Sequence, residues 1–90
     1  MSMDEVYERM AAVERELEEF NARLRASFLI VRESHDAVLP LWQDAMKREY
    51  DRTWEPLEET MRDYVERVGP LYVETLLERV RAAARYLHGS

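Results

Sequence analysis

Two histidines and a scatter of acidic pairs are the side chains of this 90-residue chain whose types could do chemistry. His35 and His88 could hold a metal or move a proton. A di-metal site in a helical bundle, however, needs a Glu-x-x-His step on each of two helices, and neither histidine has one. His35, beside Asp36 near a helix end, reads as a surface or capping residue. Glu58-Glu59 and Glu16, Glu18 and Glu19 could act as acid and base only where burial splits their pKa values. Their spacing, with Glu14-Arg15-Glu16, is that of a solvated helix face. No cysteine is present, so there is no thiolate ligand, redox couple or disulfide. Two glycines are too few for a phosphate-cradling loop, and no Ser-His-Asp arrangement can be built. The sequence therefore predicts no enzyme: no catalytic residue, no metal and no cofactor. Any function is expected to come from surfaces.

The composition narrows which surfaces those are. A net charge of −6 argues against nucleic acid, which calls for a basic face. The acids collect between Asp4 and Glu19 and the arginines at Arg79, Arg81 and Arg85, which suits the dipoles of helices starting and ending there. Phe28-Leu29-Ile30-Val31, the longest wholly apolar run, is far too short to cross a bilayer, so no membrane insertion is expected. The start, Met1-Ser2-Met3-Asp4-Glu5, is acidic and has no apolar core of a signal peptide. A cytoplasmic product is expected, and export would need a route without a cleavable signal peptide.

The elements that must position these surfaces are helices. Ala, Glu, Leu and Arg dominate, with few glycines and prolines. Apolar residues at Val6, Met10, Val13, Leu17, Phe20, Leu24, Phe28, Val31 and Val38 alternate steps of three and four, the seam of one helix packed lengthwise on another. Ser2 or Asp4 is a plausible cap, with Glu5 completing a capping box. Helix 1 is read as residues 4 to about 37. Pro40 closes it and makes a short turn over about 38–41, so the next helix must run antiparallel. Helix 2 is read as about 42–87, with a kink at Pro56 and a break at Gly69-Pro70, where glycine and proline suit a new helix start. Gly89 is a natural C-cap. The chain is thus expected to be an all-α, single-domain helical hairpin over residues 1–90.

One hairpin cannot bury this sequence. Phe28, Leu29, Ile30 and Val31 step round the helix by about 100° each and point almost all the way round. Trp42, Met46, Tyr50 and Trp54 keep helical spacing, yet Trp54 lies about 120° from Trp42 on a continuous helix. Either the segment after Gly69-Pro70 folds back as a third helix, or a second hairpin packs on to complete a four-helix bundle. The second is favoured. The expected association surface is Phe28, Leu29, Ile30, Val31, Met46, Tyr50, Trp54 and Leu57. The methionines are read as core filler, with an adaptable binding surface as the alternative.

Trp42-Gln43-Asp44 in the turn, Tyr50 and Trp54 at +8 and +12, and some forty helical residues ahead of the tryptophan together resemble the WXG proteins. These are small ESAT-like substrates of type VII secretion. The resemblance spans nearly the whole chain. It implies a hairpin that forms homodimers or heterodimers with a similar hairpin, and recognition by a membrane FtsK/SpoIIIE-like ATPase. The sequence departs from that pattern in three places. Asp44 stands where the family has glycine, and could instead cap helix 2. The export signal Tyr-x-x-x-Asp/Glu is missing after Tyr7, Tyr50, Tyr64, Tyr72 and Tyr86. Gly69-Pro70 interrupts a helix that is usually continuous. The chain is therefore expected to act as a substrate, partner or adaptor of a type VII-like system, with its partner carrying the signal. The alternative is an intracellular bundle that only oligomerises or binds a protein.

Overall fold

A computed structural model describes residues 2–42 and 44–89. Helix α1 spans Met3–Val38, a 3-10 turn spans Leu39–Leu41, and α2 spans Ala45–Asp63. A π turn over Tyr64–Val68 then joins α2 to α3, Gly69–His88. The hairpin expected from the sequence is present, with no strand among the described residues.

The helix ends follow local chemistry. Ser2 caps α1, its hydroxyl accepting from the Glu5 amide at 3.2 Å, with Asp4 and Glu5 in the first turn. Pro40 tightens the chain into the 3-10 turn. The second helix begins at Ala45 rather than Trp42. Trp42 is extended (φ −127°, ψ 113°), so it stands before the helix and is not part of a stripe along it. Gly89, at φ 67°, closes α3 in the left-handed conformation with its amide on the Arg85 carbonyl.

Neither expected interruption breaks the second arm. Pro56 sits inside α2. It leaves the Arg52 carbonyl without its helical donor, but both residues are exposed, so water can take that place. The departure near Gly69-Pro70 is the π turn just before it, in which the Gly69 amide donates to the Tyr64 carbonyl five residues back. A proline at 70 cannot donate and crowds the carbonyl four residues earlier, and a wider turn relieves both problems. The arm does not fold back as a third helix. It carries on along α1, so that Asn21 meets Gly69 while His35 meets Tyr50.

A two-helix rod has almost no interior. The molecule measures 65 × 21 × 16 Å, and its radius of gyration is 19.8 Å, against roughly 12 Å for a compact domain of this length. Among the described residues Phe28, Val65 and Val80 are the buried apolar side chains, and no large side chain is completely buried.

The contact face of α1 differs from the expected seam. Glu14, Phe28 and His35 are buried and Asn21 is half-buried, a row with a seven-residue repeat. Val13 and Phe20, each one residue earlier in that repeat and so about 100° round the helix, are about half exposed. Part of the apolar stripe of α1 (Val13, Phe20, Val31 and Val38) therefore flanks the seam, while Phe28 fills it and Leu17 and Leu24 are half-buried at its edge. Glu14 and His35, expected at the surface, are inside.

Candidate association surface

The elbow is held by one carboxylate. Asp44 Oδ1 accepts from the amides of Met46 (3.0 Å) and Lys47 (3.3 Å), which makes it the N-cap of α2. The same oxygen accepts from the Trp42 indole Nε1–H at 2.8 Å. Asp44 thus starts the helix and fixes the half-buried indole against the Tyr50 ring, 5.3 Å away between centroids. Gln43, the middle residue of the turn motif, lies outside the described residues.

Three polar residues of α1 line the seam above this elbow. His35 stacks on Trp54 at 4.1 Å and on Tyr50 at 5.4 Å, and its Nδ1 pairs with the Tyr50 hydroxyl at 2.9 Å. About four turns further along α1, the Asn21 side-chain amide donates to the Gly69 carbonyl at 3.0 Å, and its oxygen accepts from the Tyr64 hydroxyl at 2.9 Å. The π turn is what brings both partners to Asn21. Glycine at 69 allows this close approach: a Cβ there would sit 3.0 Å from Asn21 Nδ2 and 3.1 Å from the Tyr64 carbonyl oxygen, so a larger residue requires its neighbours to shift. Glu14 is the third. Its burial pushes the carboxyl pKa up, the Glu18 carboxyl adds to the rise, and Arg15 and Arg81 oppose it. On the outer surface, Arg67 grips Asp63 with two bonds (2.8 and 2.9 Å), which lowers the Asp63 pKa and raises that of Arg67.

Beside the seam runs an uncovered apolar face. Leu24, Phe28 and Val31 of α1, with Met61, Tyr64 and Val65 of the second arm, form a groove of about 440 Å³. Its remaining walls are Ser27 and Thr60, polar but uncharged. Whole turns extend the same face: Phe20 lies one turn before Leu24, Leu57 one turn before Met61, and Val38 two turns after Val31. Val31, Val38, Phe20 and Leu57 are between two-fifths and one-half exposed. A strip of apolar and hydroxyl side chains without charge has the make-up of an interface centre.

The expected association residues divide between two places. Phe28 is buried in the seam, and Tyr50 and Trp54 are half-buried around His35, so these three hold the hairpin together. Val31 and Leu57 lie on the uncovered face, and Met46, the most exposed of the eight, is three turns from Leu57 on the same side. Leu29 and Ile30 are exposed as well, but turn progressively away from Val31 round α1. Of the seam residues, Glu14 and His35 read from the sequence as surface residues, and Asn21 carries no motif. Their signal is the bare seven-residue spacing, which a search for apolar repeats passes over because the row is mostly polar.

Among the described residues no helix is long and apolar enough to cross a membrane. Among the described residues no cluster of three or more histidine or acidic side chains could hold a metal ion. No family model, curated protein or solved structure matches this chain.

Proposed function

We propose that this protein works by helix–helix association, laying its uncovered face against a similar hairpin to complete a four-helix bundle. The observation that carries this is the surface left open. The chain exposes 7084 Å², whereas a compact monomer of 10.8 kDa exposes roughly 5,500 Å². A stable pair of ordinary size needs only about 800 Å² from each partner. The groove and its flanking apolar residues supply a place where burying that area is favourable, at about 25 cal/mol per Å² of apolar surface.

The process we assign to this association is a type VII-like secretion system, with the chain as a substrate, partner or adaptor. Supporting that reading are the hairpin and the turn tryptophan; Asp44 departs from the motif glycine and serves instead as the helix cap. The absence of an acid four residues after Tyr7, Tyr50, Tyr64 and Tyr72 favours one specific variant of it, export only in company with a signal-bearing hairpin. The same absence also favours the rival reading, an adaptor that stays inside the cell.

Sedimentation from nanomolar to micromolar concentration, alone and with hairpins encoded beside it, tests the association. A Phe20→Glu chain should remain helical and lose the pairing. A native chain that stays monomeric under every condition would refute the proposal. Expression with and without neighbouring genes then separates the two processes: appearance outside the cell only with a partner supports secretion, and retention throughout supports the adaptor.

A further inference from the structure

The rotation of α1 is the least expected feature of this hairpin. By apolar content, Val13, Phe20 and Val31 should face the second arm together with Leu17, Leu24 and Phe28. Instead those three are exposed, Leu17 and Leu24 are half-buried, and the row of Glu14, Asn21, Phe28 and His35 takes the centre of the seam, where Asn21 and His35 hydrogen-bond to the second arm. Asn21 is the most directional. Its amide uses donor and acceptor at once, on the Gly69 carbonyl and the Tyr64 hydroxyl, at a point where the backbone is opened into a π turn. Turning α1 by the roughly 60–100° that would bury its own apolar stripe pulls Asn21 away from both partners. It also leaves the Tyr64 hydroxyl and the Gly69 carbonyl unpaired in a part-buried seam, which is unfavourable. A seam polar residue with directional bonds is a known way to trade stability for one defined arrangement.

We infer that Asn21 is a positioning residue that locks the rotation of α1, holding Val13, Phe20 and Val31 outward so that a partner, rather than the molecule's own second arm, covers them. The purpose assigned to the lock rests on the association proposed above; the lock itself does not. With Asn21 replaced by an apolar side chain of similar size, the constraint on rotation is gone, and α1 turns its stripe inward.

The test uses the absence of cysteine in the native chain. A Val13→Cys substitution places one thiol on the outward stripe, and its rate of alkylation reports whether that stripe is covered. In the otherwise native chain at nanomolar concentration the thiol should react as an exposed one. Adding Asn21→Leu should slow it by roughly tenfold or more at the same concentration, since only local opening then uncovers it. Tyr64→Phe, which keeps the ring and removes only the hydroxyl, should slow it by a smaller factor and guards against a leucine variant that fails to fold. An unchanged or faster rate in the folded Asn21→Leu chain, or in Tyr64→Phe where the leucine chain is unfolded, would overturn the lock. Association is read separately: protection of the thiol in the Asn21 chain on going from nanomolar to micromolar supports pairing, and its absence refutes pairing while leaving the nanomolar comparison to judge the lock.

Discussion

Replacing Asp44 with alanine removes three hydrogen bonds from one oxygen, and their sum can be worked out. Loss of the N-cap to alanine costs about 1 kcal/mol. Loss of a negative charge at the start of α2 adds about 0.5 kcal/mol at an exposed position. The Trp42 indole bond, at 2.8 Å but also exposed, adds about 0.5 kcal/mol. The expected destabilisation is therefore about 2 kcal/mol. For a domain of this size each kcal/mol moves the melting temperature by about 4–8 °C, so the variant should melt roughly 8–16 °C lower. The assay is loss of helical ellipticity on heating, with native and variant chains at one fixed concentration, because association would make the melt concentration-dependent. Asp44→Asn separates the contributions: it keeps a capping oxygen and loses the charge, so it should melt only a few degrees below native. An Asp44→Ala chain that melts with the native protein would show that the elbow is not built on this carboxylate. An asparagine variant as damaged as alanine would show that charge, and not the cap, carries the effect.

Gly69→Ala would stabilise an isolated helix by about 1 kcal/mol. Here the added methyl meets Asn21 Nδ2 at 3.0 Å and disturbs its bond to the Gly69 carbonyl, so the melt should show a net loss of about 1 kcal/mol instead of a gain. Glu14→Gln should stabilise the protein at neutral pH, because burial, helped by Glu18, disfavours the carboxylate there. A carboxyl whose pKa is raised by folding binds its proton more readily in the native state, so its contribution to stability grows as pH falls through the folded pKa. Melts at neutral and mildly acidic pH should therefore show the gap between variant and native closing as the pH is lowered, and a gap that stays constant or widens would contradict the burial of Glu14.

Much of the local architecture was legible in the residues. Ser2 and Asp44 announce helix starts, Pro40 a turn and Gly89 a stop, and each does so through bonds within a few residues of itself. Pro56 reads as a kink and Gly69-Pro70 as a break; Pro56 lies inside a continuous α2, and in place of the break stands the π turn just before Gly69. Whether a proline breaks a helix depends on what relieves its missing donor, and here that is solvent at Arg52 and a π turn at Tyr64. The candidate surface was legible in part. Val31 and Leu57 lie on it and Met46 further along the same side, while Phe28 is buried at its floor and Tyr50 and Trp54 stack on His35.

The sequence by itself determined that this protein is a pair of long helices joined by a short elbow, because helical periodicity and capping are local properties. It also determined that the chain has more apolar surface than one hairpin can cover. What only the tertiary structure decided is which side of α1 faces the second arm. A stripe repeating every three or four residues states that a helix has an apolar side, but not which neighbour takes it. That choice was made by contacts between residues far apart in the chain, such as Asn21 with Tyr64 and Gly69 and His35 with Tyr50 and Trp54. Directional bonds of this kind fix a rotation that non-directional burial leaves open.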